Sequence, residues 1–185
     1  MLCACFAGEE TFTVEIKIFK GQQLLENGLA EQIIDLDRRN MQSTLDAAGI
    51  EFPEDKRRKG LESDSTFIIA FDGPKIIGYL DYLPSWNNPE YVYIGSVQLE
   101  KRYRGTGLLL MLIDRFRTLV AAQDFAGFET NVQKANRPAV KLYQKIGFTL
   151  EDNPRNAGSW TARAGKELLT ESPIVKLIEK WQNRR

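Results

Sequence analysis

The sequence predicts an α/β protein: a mixed central β-sheet of about seven strands flanked by helices, with an extra helix near the C-terminal end. Three observations point there. Apolar residues alternate in steps of two in some segments and recur at helical spacing in others. Three strand-like runs follow one another between residues 66 and 100, and the turn signal Asp72-Gly73-Pro74 joins the first two, the pattern of an antiparallel meander. A strand–helix–strand unit follows, and it demands at least one parallel pair of strands.

Each element has its own warrant. Residues 11–19, TFTVEIKIF, alternate and are rich in β-formers, so they read as a strand. A helix over 28–41 carries Leu29, Ile33, Ile34 and Leu36 on one broad face. A shorter helix over 43–48 has Ser43 as its cap and Gly49 as its stop. The polar stretch 51–65 holds Pro53 and Gly60 and reads as a solvated loop. Its Lys56-Arg57-Arg58-Lys59 run has the charge to touch a phosphate, but acidic neighbours flank it. Strands follow at 66–71, 75–83 and 90–100, then a helix over 105–123 and a strand over 127–133. A helix over 137–146 is stopped by Gly147, and strands at 147–152 and 159–164 pair across the turn residues between them. The last helix, 172–184, has Ser172 as cap and Pro173 at its first position. Its apolar stripe, Ile174, Leu177, Ile178 and Trp181, packs either on its own domain or on a second subunit.

Composition bounds the chemistry. The 185 residues suit a single domain, 1–185. Lys plus Arg equals Asp plus Glu at 25 each, so net charge offers no argument for nucleic acid or an anionic membrane. There is no histidine, which removes Ser-His-Asp triads, Cys-His dyads and His-ligated metal sites. An acid or base must then be Glu, Asp, Tyr, Lys, Cys or water. Cys3 and Cys5 are too close for a structural bridge and fit a reducing compartment. The opening residues lack a basic region and a long apolar core, and no apolar run is long enough to span a bilayer, so the expected location is cytoplasmic.

Two constellations carry chemistry. The first, Arg102-Tyr103-Arg104-Gly105-Thr106-Gly107, lies between a strand and the apolar block that opens with Leu108. Glycine lets a backbone approach a ligand closely, and a helix start offers unpaired N–H groups with partial positive charge. Together these suit a phosphate, although a glycine at a strand–helix corner also serves simply to turn the chain. A Walker loop and a dinucleotide fingerprint both fit poorly: no lysine follows Gly107, and Leu110 stands where a third glycine would be. In the second constellation Asn136, Ala139 and Tyr143 share one helix stripe, and Gly147-Phe148 closes it. Small Ala139 leaves room for an extended ligand, and Tyr143 offers a hydroxyl. Read plainly, Asn136 is a cap and Tyr143 a core aromatic.

The pair, about 30 residues apart and in this order, resembles the GNAT superfamily of acyl-CoA-dependent N-acyltransferases. Arg102, Gly105 and Gly107 match its Gln/Arg-x-x-Gly-x-Gly/Ala motif; Asn136, Ala139, Tyr143, Gly147 and Phe148 match its Asn-x-x-Ala-x-x-x-Tyr-x-x-x-Gly-Phe pattern. An alternative alignment starts at Tyr103 and leaves Leu109 in place of a small residue. Arg104 to Gly107 belong to the loop in both alignments. The motif-bearing core covers about 66–150.

The resemblance implies acetyl-CoA as co-substrate, with no metal. The backbone near Val97 and Leu99 would pair with the pantetheine arm, and the amides of Arg104, Gly105, Thr106, Gly107 and Leu108 would seat the pyrophosphate. Arg102, Asn136 and Ala139 would contact the coenzyme, and Tyr143 would approach the thioester sulfur. The implied partner is a primary amine, attacking directly in a ternary complex; an acyl-CoA sensor with little catalysis is the alternative. Glu100 is the first candidate for the base, with Asp81, Glu90 and Glu129 behind it. No membrane partner is expected, nucleic acid is disfavoured, and the family is often dimeric.

Overall fold

The computed structural model describes residues 2–7 and 10–183, and the chain divides into two compact units. The first comprises Met1–Tyr82 and Ser96–Phe116, the second Leu83–Gly95 and Arg117–Arg185.

The first unit opens with β1 (Leu2–Ala7) and β2 (Glu10–Lys20), which are antiparallel. Helices α1 (Gly21–Glu26), α2 (Ala30–Ala48) and α3 (Glu54–Leu61) follow. Next come β3 (Thr66–Asp72) and β4 (Lys75–Pro84), antiparallel to each other, with β3 also antiparallel to β2. The unit ends with the last residues of β5 (Tyr91–Leu99) and the start of α4 (Leu108–Val120). Its core is made by Ile33, Ile34 and Leu36 of α2, with Leu24 and Leu61, packed on Phe67, Ile69, Phe71, Ile76 and Tyr79. Burial of each such aliphatic side chain stabilises by about 1.5–3 kcal/mol. β3 is buried at six consecutive positions, so its apolar run is continuous rather than alternating.

In the second unit Tyr91–Tyr93 of β5 run parallel to Gly127–Glu129 of β6 (Gly127–Gln133). Antiparallel β8 (Ser159–Gly165) pairs along the whole of β6, and β7 (Thr149–Asp152) pairs with β8. Helix α5 (Arg137–Ile146) precedes β7, and α6 (Pro173–Gln182) packs against α5. One parallel pair among antiparallel ones makes the sheet mixed, as expected. Among the described residues there are eight strands rather than about seven, β1 being the addition.

The differences from expectation have physical reasons. The helices expected over 28–41 and 43–48 are one helix, Ala30–Ala48, because nothing at 42–43 breaks it and Ser43 is merely interior. Its end at Gly49, which adopts φ 64°, is as predicted. α1 is too short to show a period. α3 lies inside the stretch expected to be a loop: it buries Leu61 alone, so periodicity is silent. Its stability comes from acids Glu54 and Asp55 in the first turn and bases Arg58 and Lys59 in the last, complementing the helix dipole. α6 buries Ile174, Val175 and Ile178 and leaves Leu177 44% exposed, so its inward face is rotated from the expected stripe. Cys3 and Cys5 carry side chains outside those described.

Candidate functional site

In the first unit, β5 leads into a 3₁₀ turn, Lys101–Tyr103, then into Arg104–Gly107, then into α4. Gly105 and Gly107 adopt φ 83° and 90°, a left-handed conformation that side-chain-bearing residues rarely take. A Cβ at Gly105 would meet nothing within 4 Å. The glycine is therefore set by backbone conformation, and the space above it is open. The Thr106 hydroxyl donates to the Tyr103 carbonyl at 2.8 Å and holds the turn from beneath. Met111 N–H donates to Gly107 O, so the amides just ahead of Met111 belong to the helix start, where no carbonyl lies four residues back within the helix.

The two arginines diverge. Arg104 Nη2 donates to Asn40 Oδ1 at 2.8 Å and approaches Leu99 O at 3.4 Å, pinning the loop to α2 and to the end of β5. Arg102 turns to the β3–β4 hairpin, donating to Tyr103 OH at 2.7 Å and to Asp72 Oδ2 at 3.3 Å. Val97 and Leu99 are half-buried. Leu99 lies over Gly78, where an added Cβ would come within 2.6 Å of Leu99 Cδ2 and 3.4 Å of Leu108 Cδ2. Leu108 itself is buried.

In the second unit the parallel ladder of β5 to β6 ends at Tyr93 and Glu129, and β6 continues to Gln133 paired with β8. Asn136 caps α5, accepting from Ala139 N–H at 3.3 Å, and Gly147 ends the helix at φ 109°. Tyr143 and Ala139 are half-buried along the same stripe. The Tyr143 ring meets Phe148 edge-on at 5.1 Å. Burial pushes the Tyr143 phenol up, and a hydrogen bond with Thr130 opposes the shift only in part.

The four candidate carboxylates sit in different surroundings. Glu100 is gripped by Arg39 at 2.7 Å and Lys75 at 3.0 Å. Burial pushes it up, but the two cations outweigh burial and hold it below the usual carboxylate range. Such a carboxylate is a poor proton acceptor. Glu90 is exposed. Glu129 is buried, bonded by Arg163 Nε at 2.8 Å and reached by the Ser85 hydroxyl at 3.5 Å.

Asp81 differs from all three. It is buried on β4, Arg57 Nη2 stands 3.7 Å from its Oδ1, and that oxygen has no hydrogen-bond partner. Burial pushes its carboxyl up to about 7, with Asp37 adding to the rise and Arg57 and the Ser96 backbone opposing it. Arg57, Asp37 and Tyr79, bonded to one another beside Asp81, form a cluster that the sequence patterns do not display. The only signal for them is a basic run placed next to an acidic helix start.

Among the described residues no cluster of acidic or cysteine side chains is arranged to hold a metal ion, and no helix is long and apolar enough to cross a membrane.

Residues 30–148 match the model of the Acetyltransferase (GNAT) family. The chain is 28% identical over 89 residues to the streptothricin acetyltransferase of Escherichia coli, covering 48% of this chain and 50% of that protein. It is 31% identical over 90 residues to the mycothiol acetyltransferase of Corynebacterium glutamicum, covering 49% of this chain and 30% of that one. The match thus spans half or less of each relative. In fold it is similar to the PaiA N-acetyltransferase of Thermoplasma acidophilum, solved in complex with coenzyme A: the TM-score is 0.62 at 16% identity, over 82% of this chain and 98% of that one. An acetyltransferase from Streptococcus agalactiae gives a TM-score of 0.63 at 18% identity, with the same coverage of both chains.

Proposed function

Because the chain belongs to the acetyltransferase (GNAT) family, we propose that it moves an acetyl group from acetyl-CoA to a primary amine by direct attack in a ternary complex. One observation carries the reading: the Arg104–Gly107 loop, with two left-handed glycines, open space above Gly105 and a helix start behind it. These are the features a pyrophosphate needs, since backbone amides and the helix dipole both favour an anion there. The amides of 104–108, with Arg104, would hold that group. The backbone of Val97–Leu99 would take the pantetheine arm as an added strand. Asn136 and Ala139 would flank the coenzyme along α5. Arg102, engaged by Asp72 and Tyr103, steadies the turn instead.

Bound acetyl-CoA supplies an activated thioester carbonyl. The protein must remove a proton from an alkylammonium of ordinary pKa about 10.4 and return one to the departing sulfur. We assign the removal to Asp81. Its carboxyl, near 7, is matched to neutral pH as Glu100 is not, and it neighbours Ser96 at the strand segment assigned to pantetheine. The proton passes directly or through one water. A backbone N–H near 97–99 stabilises the developing oxyanion. The return of a proton to sulfur falls to Tyr143, whose raised phenol stays protonated at neutral pH, as an acid requires. Relatives named for streptothricin and L-2,4-diaminobutyric acid make small polar amines the first acceptors to try.

Calorimetry tests the seat. Wild-type protein is expected to bind acetyl-CoA, and Gly105→Val, folded by circular dichroism, to bind it far more weakly. Normal affinity in that variant would remove the loop from the site.

A further inference from the structure

The Lys56–Lys59 run, expected to be solvated, delivers one residue inward. Arg57 keeps only 18% of its side chain exposed, and the carboxylates it meets are more deeply buried, Asp37 at 3% and Asp81 at 5%. Its Nε donates to Asp37 Oδ2 at 2.5 Å, and its Nη2 donates to Tyr79 OH at 2.8 Å. Tyr79 OH in turn donates to Asp37 Oδ1. The guanidinium carbon sits 5.7 Å from the ring centroids of both Phe67 and Tyr79. Asp37, Arg57 and Tyr79 are therefore mutually satisfied. Asp81 receives the charge of Arg57 without a hydrogen bond from it, and its Oδ1 is left unpartnered.

The charge count is informative. Arg57 from α3 carries one positive charge; Asp37 from α2 and Asp81 from β4 carry two negative ones; Tyr79 and the Ser96 backbone of β5, which also act on Asp81, are neutral. One carboxylate in a nearly dry site lacks a counter-charge, and a buried unpaired charge is costly. An arriving proton or ammonium supplies the missing charge. Because Asp37 is hydrogen-bonded and Asp81 Oδ1 is not, the vacancy falls at Asp81.

We infer that Arg57 is a positioning residue: locked by Asp37 and Tyr79, it lends the Asp81 carboxylate part of its charge without a hydrogen bond, so that Asp81, rather than Asp37, exchanges a proton with the acceptor amine. The inference rests on the assignment of Asp81 as base. Asp81 takes one proton from the acceptor ammonium, and the freed lone pair forms the nitrogen–carbonyl bond. The carbon–sulfur bond breaks, and its electron pair leaves with the sulfur that Tyr143 protonates. The second nitrogen proton replaces the one Tyr143 gave, and the proton on Asp81 goes to solvent after the product departs.

The test is the pH profile of kcat/KM for one amine acceptor, in wild type, Arg57→Gln, Asp37→Asn and Asp81→Asn. The acceptor is common to all four, so its own titration cancels in variant-to-wild-type ratios. Removing the cation leaves Asp81 harder to ionise, so Arg57→Gln moves the acidic limb to higher pH. Each unit of displacement is a tenfold loss below the limb, recovered above it. Asp37→Asn removes the competing anion and moves the limb the other way. A purely structural role would lower both variants by one factor at every pH, and that result would overturn the proposal. So would a limb displaced in the same direction in both. If Arg57→Gln does not fold, Asp37→Asn alone decides by whether its limb moves to lower pH. Asp81→Asn retaining wild-type kcat/KM would instead dismiss Asp81 as the base, and with it the premise, whatever the other variants do.

Discussion

Asp81 and Glu100 are both carboxylates on or beside strands, yet their surroundings prepare them for opposite roles. Glu100 has two cations within 3.0 Å and partial exposure, so it stays ionised and serves as an anchor for Lys75 and Arg39. Asp81 has one cation at 3.7 Å and deep burial. The consequence for stability has a definite sign. Its folded pKa, about 7, lies above the ordinary aspartate value of about 3.9, so the folded state holds the proton more tightly. The resulting contribution to stability is complete below the unfolded value and is lost as pH rises through the folded one. Wild type should therefore lose stability relative to Asp81→Asn between about pH 4 and pH 7 in urea titrations; a gap independent of pH would show that Asp81 does not titrate there. Tyr143 is the other residue-scale prediction. Tyr143→Phe should lower turnover by roughly 10²–10⁴-fold with acetyl-CoA affinity retained. Unchanged turnover at saturating substrates would leave Tyr143 as packing on Phe148. At this scale sequence motifs located the glycines, Asn136 and Tyr143. They put Glu100 first for its place at the end of the strand beside the expected cleft, whereas a pKa depends on neighbours from α2, α3 and β4 that no local pattern displays.

Elements were legible where several local signals agreed. α5 has a capping Asn136, Pro138 in its first turn and Gly147 at its end, and its bounds follow from these. The cap is measurable: Asn136→Ala should cost about 1 kcal/mol in chemical denaturation, since it removes the acceptor for the Ala139 N–H. No loss of stability would mean that Asn136 is kept for ligand contact alone. α3 was illegible by the same logic. Its helix is written in charge order and in one half-buried arginine rather than in apolar spacing. Helix α2 shows a third case, in which a plausible cap at Ser43 was overridden because the apolar face of the helix continued through Leu45. Short α1 rests on tertiary support: Gly21 N–H donates to Ser65 O, and a Cβ there would fall 2.1 Å from Leu61 O.

For the whole molecule, the order of strands and helices carried the fold class, because alternation, helical spacing and turn residues agreed along most of the chain. The division into two compact units was not legible. Strands β4 and β5 and helix α4 each pass from one unit to the other, and continuous elements give no composition break. The proposed activity draws on both the glycine loop and the α5 stripe, so that activity is what most needs measuring. The most direct measurement is thiol release from acetyl-CoA by the purified protein, across a panel of small amines that includes diamines. The expected result is release that needs both protein and amine, saturates in each substrate and falls away in Asp81→Asn. Binding of acetyl-CoA without amine-dependent release from any acceptor would contradict acetyl transfer and leave an acyl-CoA-binding protein in its place.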